Sequence, residues 1–207
     1  RLRIRAVGGP VRLFADGVSA EGKAIWVIRD GEFNIEGIEF HECRVRDRNG
    51  AGIRVERGQV RLLRCRFIGN ENGVLTGNHL LSRLLVDRCE FGDNGHGDGY
   101  SHNLYVGRIG GLEVRGSSFA NAQSGHLLKS RARESLVTYN RLADDPNGRS
   151  SYELEFPDGG RALVLGNVLV QSPSTENRTL LSFGAEGAAW PDDALVVAHN
   201  TFVNLSP

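Results

Sequence analysis

The stretch Val60-Arg61-Leu62-Leu63-Arg64-Cys65-Arg66-Phe67 returns 24 residues later as Leu84-Leu85-Val86-Asp87-Arg88-Cys89-Glu90-Phe91. Both hold an apolar residue, a second one two positions on, a small or polar anchor three further, and an apolar residue two beyond the anchor. Leu112, Val114, Ser117 and Phe119 repeat the layout. Val137-Asn140-Leu142, Val164-Asn167-Leu169 and Leu195-Val197-Asn200-Phe202 carry it toward the end of the chain. Upstream it starts at Phe33, Ile35, Ile38 and Phe40, although Cys43 also fits the spacing with Ile38, Phe40 and Val45. Self-similarity at a nearly fixed period marks a solenoid, in which each unit gains its core only by stacking on the next.

A second short strand precedes each anchor segment: Ile53 to Val55, Val74 to Thr76, Leu104 to Val106, Leu127 to Lys129, Leu154 to Phe156 and Leu181 to Phe183. None of these segments holds the apolar spacing of a helix over three turns, so the helical repeat folds are excluded. The expected architecture is an all-β, right-handed parallel β-helix of about eight coils, each with three short strands. It forms a single domain over residues 1–207. A chain without Met that opens inside an alternating strand pattern also reads as a fragment of a longer one, with its caps missing.

Stacked repeats turn equivalent positions into columns, and the anchors Cys65, Cys89, Ser117, Asn140, Asn167 and Asn200 form one of them. An inward Asn at a bend can serve both its own turn and the amide of the neighbouring coil. On these residues the chain resembles the pectate-lyase-like superfamily of β-helix proteins, whose second turn carries such an asparagine ladder. The resemblance implies that the strand after each anchor belongs to the third sheet and that the strand opening the next coil belongs to the first. It further implies a ligand groove along the outer face of the first sheet.

Composition narrows the partners. Lys plus Arg and Asp plus Glu balance at 25 each, so no overall field draws the chain to nucleic acid, and no apolar run is long enough for a membrane-spanning helix. Cys43, Cys65 and Cys89 lack paired metal-ligand spacing and are expected as buried free thiols. The resemblance further implies an extracellular or periplasmic setting.

With Leu104, Leu127 and Leu154 pointing inward, period-two alternation places Asn103, His126 and Glu153 in one outward column and Tyr105, Leu128 and Glu155 in another. By the same phase Lys129 turns inward, so it is expected where the strand bends. Arg131 and Arg133 follow in the turn, with His102 and Tyr152 at the incoming loop ends. Lys129 is one of two lysines against 23 arginines, which suggests a use for an amine that Arg does not serve.

This density of titratable groups suits an anionic polysaccharide attacked by elimination or epimerisation. Such chemistry needs a base for the C5 proton, a neutraliser for the uronate carboxylate and an acid for the leaving oxygen. His126, Lys129 or Tyr105 are candidate bases, Arg131 or Arg133 candidate neutralisers, and Tyr105 or Tyr152 candidate acids. Asn103, His102, Arg133, Tyr152, Glu153 and Glu155 are expected to contact substrate. The pair Glu153-x-Glu155 could hold Ca²⁺, or keep His126 or Lys129 charged. A Lys and Arg near a Glu-x-Glu is similar to what chondroitinase-B-like and alginate lyases use, with a different order and spacing. The arginine-containing motifs of polygalacturonases and pectate lyases are missing. The alternative is a non-catalytic carbohydrate-binding or surface scaffold. Both readings require side chains 103, 126 and 153 to face water, one above another.

Overall fold

The computed structural model describes residues 1–175 and 177–206. Among them there is no helix, and 23 strands wind into a parallel solenoid of about seven turns with three sheets. In chain order, a typical turn takes Gln59–Leu63 into the second sheet, Arg66–Ile68 into the third and Asn72–Thr76 into the first. All sheet pairing is parallel and joins one turn to the next. The coil count is slightly below the expected eight. The start of the repeat is settled by register: Phe33 pairs with Val60, Ile35 with Leu62 and Phe40 with Phe67, so Ile38 rather than Cys43 holds the anchor position.

The bend at each anchor is tight because the residue before it sits in the left-handed region. Gly37, Gly116 and Gly166 do this at little cost, whereas Arg64, Arg88, Tyr139 and His199 do it with φ between 50° and 56°. Such a bend turns backbone amides inward, and the anchor column satisfies them. Cys89 N donates to Ser117 Oγ at 3.0 Å, Ser117 N to Asn140 Oδ1 at 2.9 Å, Asn140 N to Asn167 Oδ1 at 2.8 Å, and Asn167 N to Asn200 Oδ1 at 2.8 Å. The Asn Nδ2 groups donate in turn to Val114, Val137 and Val164 carbonyls.

A second ladder stands at the turn from third to first sheet. Asn70 Oδ1 accepts from Cys43 N, Asn94 Oδ1 from Asn70 N, and Asn103 Oδ1 from the Asn94 side chain at 2.7 Å. Its sequence signal is an Asn three residues after Phe67 and after Phe91. Between the ladders, Phe40, Phe67, Phe91 and Phe119 stack with ring centroids 5.1, 4.8 and 4.6 Å apart. Leu142 and Leu169 continue this column. Each such ring, withdrawn from water, contributes on the order of 2–3 kcal/mol. Gly73 lies against this stack: a Cβ there would overlap the Asn103 carbonyl and sit 2.8 Å from the Phe91 ring.

Candidate functional site

The first sheet pairs Leu104 with Leu128 and Leu128 with Leu154, and likewise Tyr105 with Lys129 and Lys129 with Glu155. This corrects the expected alignment at one coil: the strand is Leu128–Ser130, one residue later than the sequence suggests. Lys129 therefore faces outward, between Tyr105 and Glu155, and Leu128 fills the core. Leu127 is fully buried as well.

The expected column of Asn103, His126 and Glu153 does not exist. Alternation fails across the bend before each strand, because residues 103, 127 and 153 precede the regular strand and turn into the solenoid. Asn103 ends the second ladder and donates to Ala120 O at 2.8 Å. Glu153 has no exposed surface and takes a 3.2 Å hydrogen bond from Gln171 Nε2. Burial pushes its carboxyl up to about 9, with neighbouring Asp144 adding to the rise, so it is protonated at neutral pH. Glu153 and Glu155 thus face opposite sides of the wall and cannot share a Ca²⁺. Among the described residues no group of three or more His, Cys, Asp and Glu converges in metal-binding geometry.

His126 is equivalent to His102 and Tyr152, two positions before the strand. Their rings form a chain on the outer face: His102 meets His126 edge-on at 4.6 Å, His126 meets Tyr152 at 4.9 Å, and His102 stacks on Tyr105 at 5.6 Å. Gly125 permits this approach, since a Cβ there would overlap the Ser101 carbonyl. Its neighbour His126 can then donate its amide to His102 Nδ1 at 3.0 Å.

The charged groups interlock beneath the rings. Glu155 Oε2 lies 2.8 Å from His126 Nε2 and 2.9 Å from Lys129 Nζ. Lys129 also reaches Glu186 Oε1 at 3.1 Å, while Arg131 reaches Glu186 Oε2 at 2.5 Å and pairs with Asp158. Arg131 Nε donates to Tyr105 Oη at 3.0 Å, and Arg108 Nε holds the other Asp158 oxygen at 2.6 Å. Arg133 lies apart and pairs with Asp192 at the rim.

Burial lowers the pKa of both histidines. At His102 the charges of His126, Lys129 and Arg131 add to the fall; at His126 the Glu155 carboxylate opposes it without reversing it. Burial alone would raise Glu155, but His126 and Lys129 outweigh it and hold the carboxyl below its usual range. The face therefore presents neutral imidazoles, an ionised Glu155 and two cations. His126 Nδ1 is enclosed and unpartnered, so its imidazole positions Glu155 and is not available to a substrate proton. Tyr105 is half-buried, and its oxygen accepts from Arg131 Nε.

A distinct concavity lies elsewhere. A groove of about 770 Å³ runs along the outer face of the second sheet, floored by Leu85, Leu136 and Leu163 between Arg61 and Arg161. It lacks histidine and tyrosine and offers no proton-transfer group of that kind. The groove therefore does not lie on the first sheet, where the sequence places it, whereas His102, Tyr105, His126 and Tyr152 do lie there.

No helix among the described residues is long and apolar enough to cross a membrane. No family model matches the chain, and comparison with curated proteins and with solved structures likewise returns no match.

Proposed function

We propose that the protein is a pectate-lyase-like β-helix that acts on an anionic, uronate-containing polysaccharide by elimination or epimerisation at the outer face of its first sheet. The observation that carries this reading is the packing of Tyr105, Lys129, Arg131 and His126 into one contiguous network across consecutive turns. Arg131 and Lys129 would neutralise the substrate carboxylate, which acidifies C5–H. Tyr105, with its oxygen ionised and the charge compensated by Arg131, would take the C5 proton and in elimination return it to the leaving oxygen. In elimination the C5–H and C4–O bonds break, a C4=C5 double bond forms and the leaving oxygen takes a proton. In epimerisation the C5 proton goes to Tyr105, C5 takes a proton from water on the opposite face, and Tyr105 releases its proton to solvent. A polymer substrate fits an extracellular or periplasmic setting.

The test is incubation with a panel of polyuronates, read as absorbance of unsaturated uronates for elimination and as solvent deuterium uptake at C5 for epimerisation. Activity lost in Tyr105→Phe supports the reading, and neither signal on any polymer from the unaltered chain removes the enzymatic version.

One observation favours a non-catalytic glycan-binding scaffold instead: Lys129 and Arg131 each already hold two carboxylates. Retained polyuronate binding with no turnover of any kind would select that reading.

A further inference from the structure

Resting on the uronate reading above, we infer that Lys129 and Arg131 form a carboxylate-binding site that the chain itself fills with Glu186, and that a substrate uronate displaces this side chain. Each cation takes one oxygen of the Glu186 carboxylate, Lys129 at 3.1 Å and Arg131 at 2.5 Å. A planar carboxylate is the group this two-cation clamp fits.

Three features distinguish Glu186 from the other partners. Its side chain is 47% exposed, whereas Lys129 and Arg131 are 10% and 17% exposed, so the anion sits at the mouth and the cations form the floor. Neither cation depends on it for position: Lys129 stays with Glu155, and Arg131 stays with Asp158 and Tyr105. The segment bearing it is held by main chain, through Gly184 N to Phe156 O at 2.8 Å, Glu186 N to Pro157 O at 3.0 Å and Ala189 N to Asp158 O at 3.0 Å. The side chain can therefore swing out without the loop unfolding.

Charge balance agrees. Arg108, Lys129 and Arg131 face Glu155, Asp158 and Glu186. Removing Glu186 leaves one positive charge unmatched beside neutral His102 and His126, and an incoming uronate restores neutrality. Glu186 thus acts as a built-in competitor that excludes weaker anions.

The experiment measures calorimetric binding of oligogalacturonate, oligomannuronate, oligoguluronate and a neutral cello-oligosaccharide to the unaltered chain, Glu186→Gln and Glu186→Asp at fixed ionic strength. Displacement predicts oligouronate binding about tenfold tighter in Glu186→Gln, an intermediate gain in Glu186→Asp and no change for the neutral sugar. Oligouronate binding that both variants leave unchanged or weaken overturns the displacement while the uronate reading stands. Indifference of all three proteins to every oligouronate overturns both. Glu186→Asp keeps the charge on a shorter arm, so it supplies the answer if Glu186→Gln does not fold.

Discussion

Lys129 Nζ and Glu155 Oε2 lie 2.9 Å apart on consecutive rungs of the first sheet, with both side chains nearly withdrawn from water. A buried pair of this kind costs desolvation on both sides, and removing one member strands the other. Here the stranded group would be a carboxylate whose one other close partner among the described residues is an imidazole kept neutral by burial.

Lys129→Met keeps the aliphatic stem and removes the charge. It should cost about 3 kcal/mol in denaturant unfolding. It should also raise the His126 pKa, because Lys129 is one of the charges that lower it. Ring-proton NMR over a pH series reads the second effect. A loss below about 1 kcal/mol would show that the pair is solvated.

Glu153 sets the alkaline side of the stability profile. Its folded pKa of about 9 exceeds the usual 4.5, so the folded chain binds a proton that the unfolded chain has released between those values. This contribution is fully present below pH 4.5 and fades as pH rises toward 9, by about 1.4 kcal/mol per pH unit within that window. Glu153→Gln should abolish the slope and raise stability at pH 8. Glu155 works in the opposite sense: its lowered pKa contributes above the usual carboxylate range and is lost on acidification.

Asn140→Ala should cost about 2–4 kcal/mol, since it leaves Ser117 N and the Val114 carbonyl without partners inside the wall. Asn140→Asp should restore little. It keeps an acceptor for Ser117 but loses the donor to Val114 and to Asn167 Oδ1. Thermal melts of the two variants compare these losses, and an Asp variant as stable as the parent would refute the ladder's donor role.

Leu127→Ala and Leu128→Ala should each destabilise by about 2–5 kcal/mol, because both side chains are fully buried. His126→Ala is not the mild surface change that the sequence alone suggests, because it removes a partner of Glu155 and opens the packing against Tyr152. Urea unfolding ranks the three, and a Leu127→Ala midpoint equal to that of the parent would place that side chain outside the core.

The three thiols should resist a disulfide reagent in the folded chain and titrate fully after denaturation. All are buried. Burial pushes Cys43 up to about 11, and it also raises Cys89. Rapid labelling of any one of them under native conditions would show that the solenoid opens locally.

Much of this architecture is local and hence visible in the amino-acid order. Phe67, Phe91 and Phe119 stack because each stands two residues after its anchor, and the anchor ladder follows from the same spacing. Period-two alternation also places Tyr105 and Glu155 outside, because both lie within regular strands.

Where alternation meets a bend, the sequence stops deciding. Leu127-Leu128 offers two equally apolar registers, and only pairing with Leu104 and Leu154 selects Leu128, which turns Lys129 outward. Asn103 and Glu153 look like surface residues until the turn geometry carries them inside. Asp158 and Glu186, remote in sequence from Lys129, enter the site only because the next coil delivers the first and the coil after it the second. The recurring pattern determined a stacked β-wall and its inward columns, since each follows from the strand's own periodicity. Which charges meet on the outer face was decided by tertiary structure, because loop length between coils sets the register and no local rule encodes it.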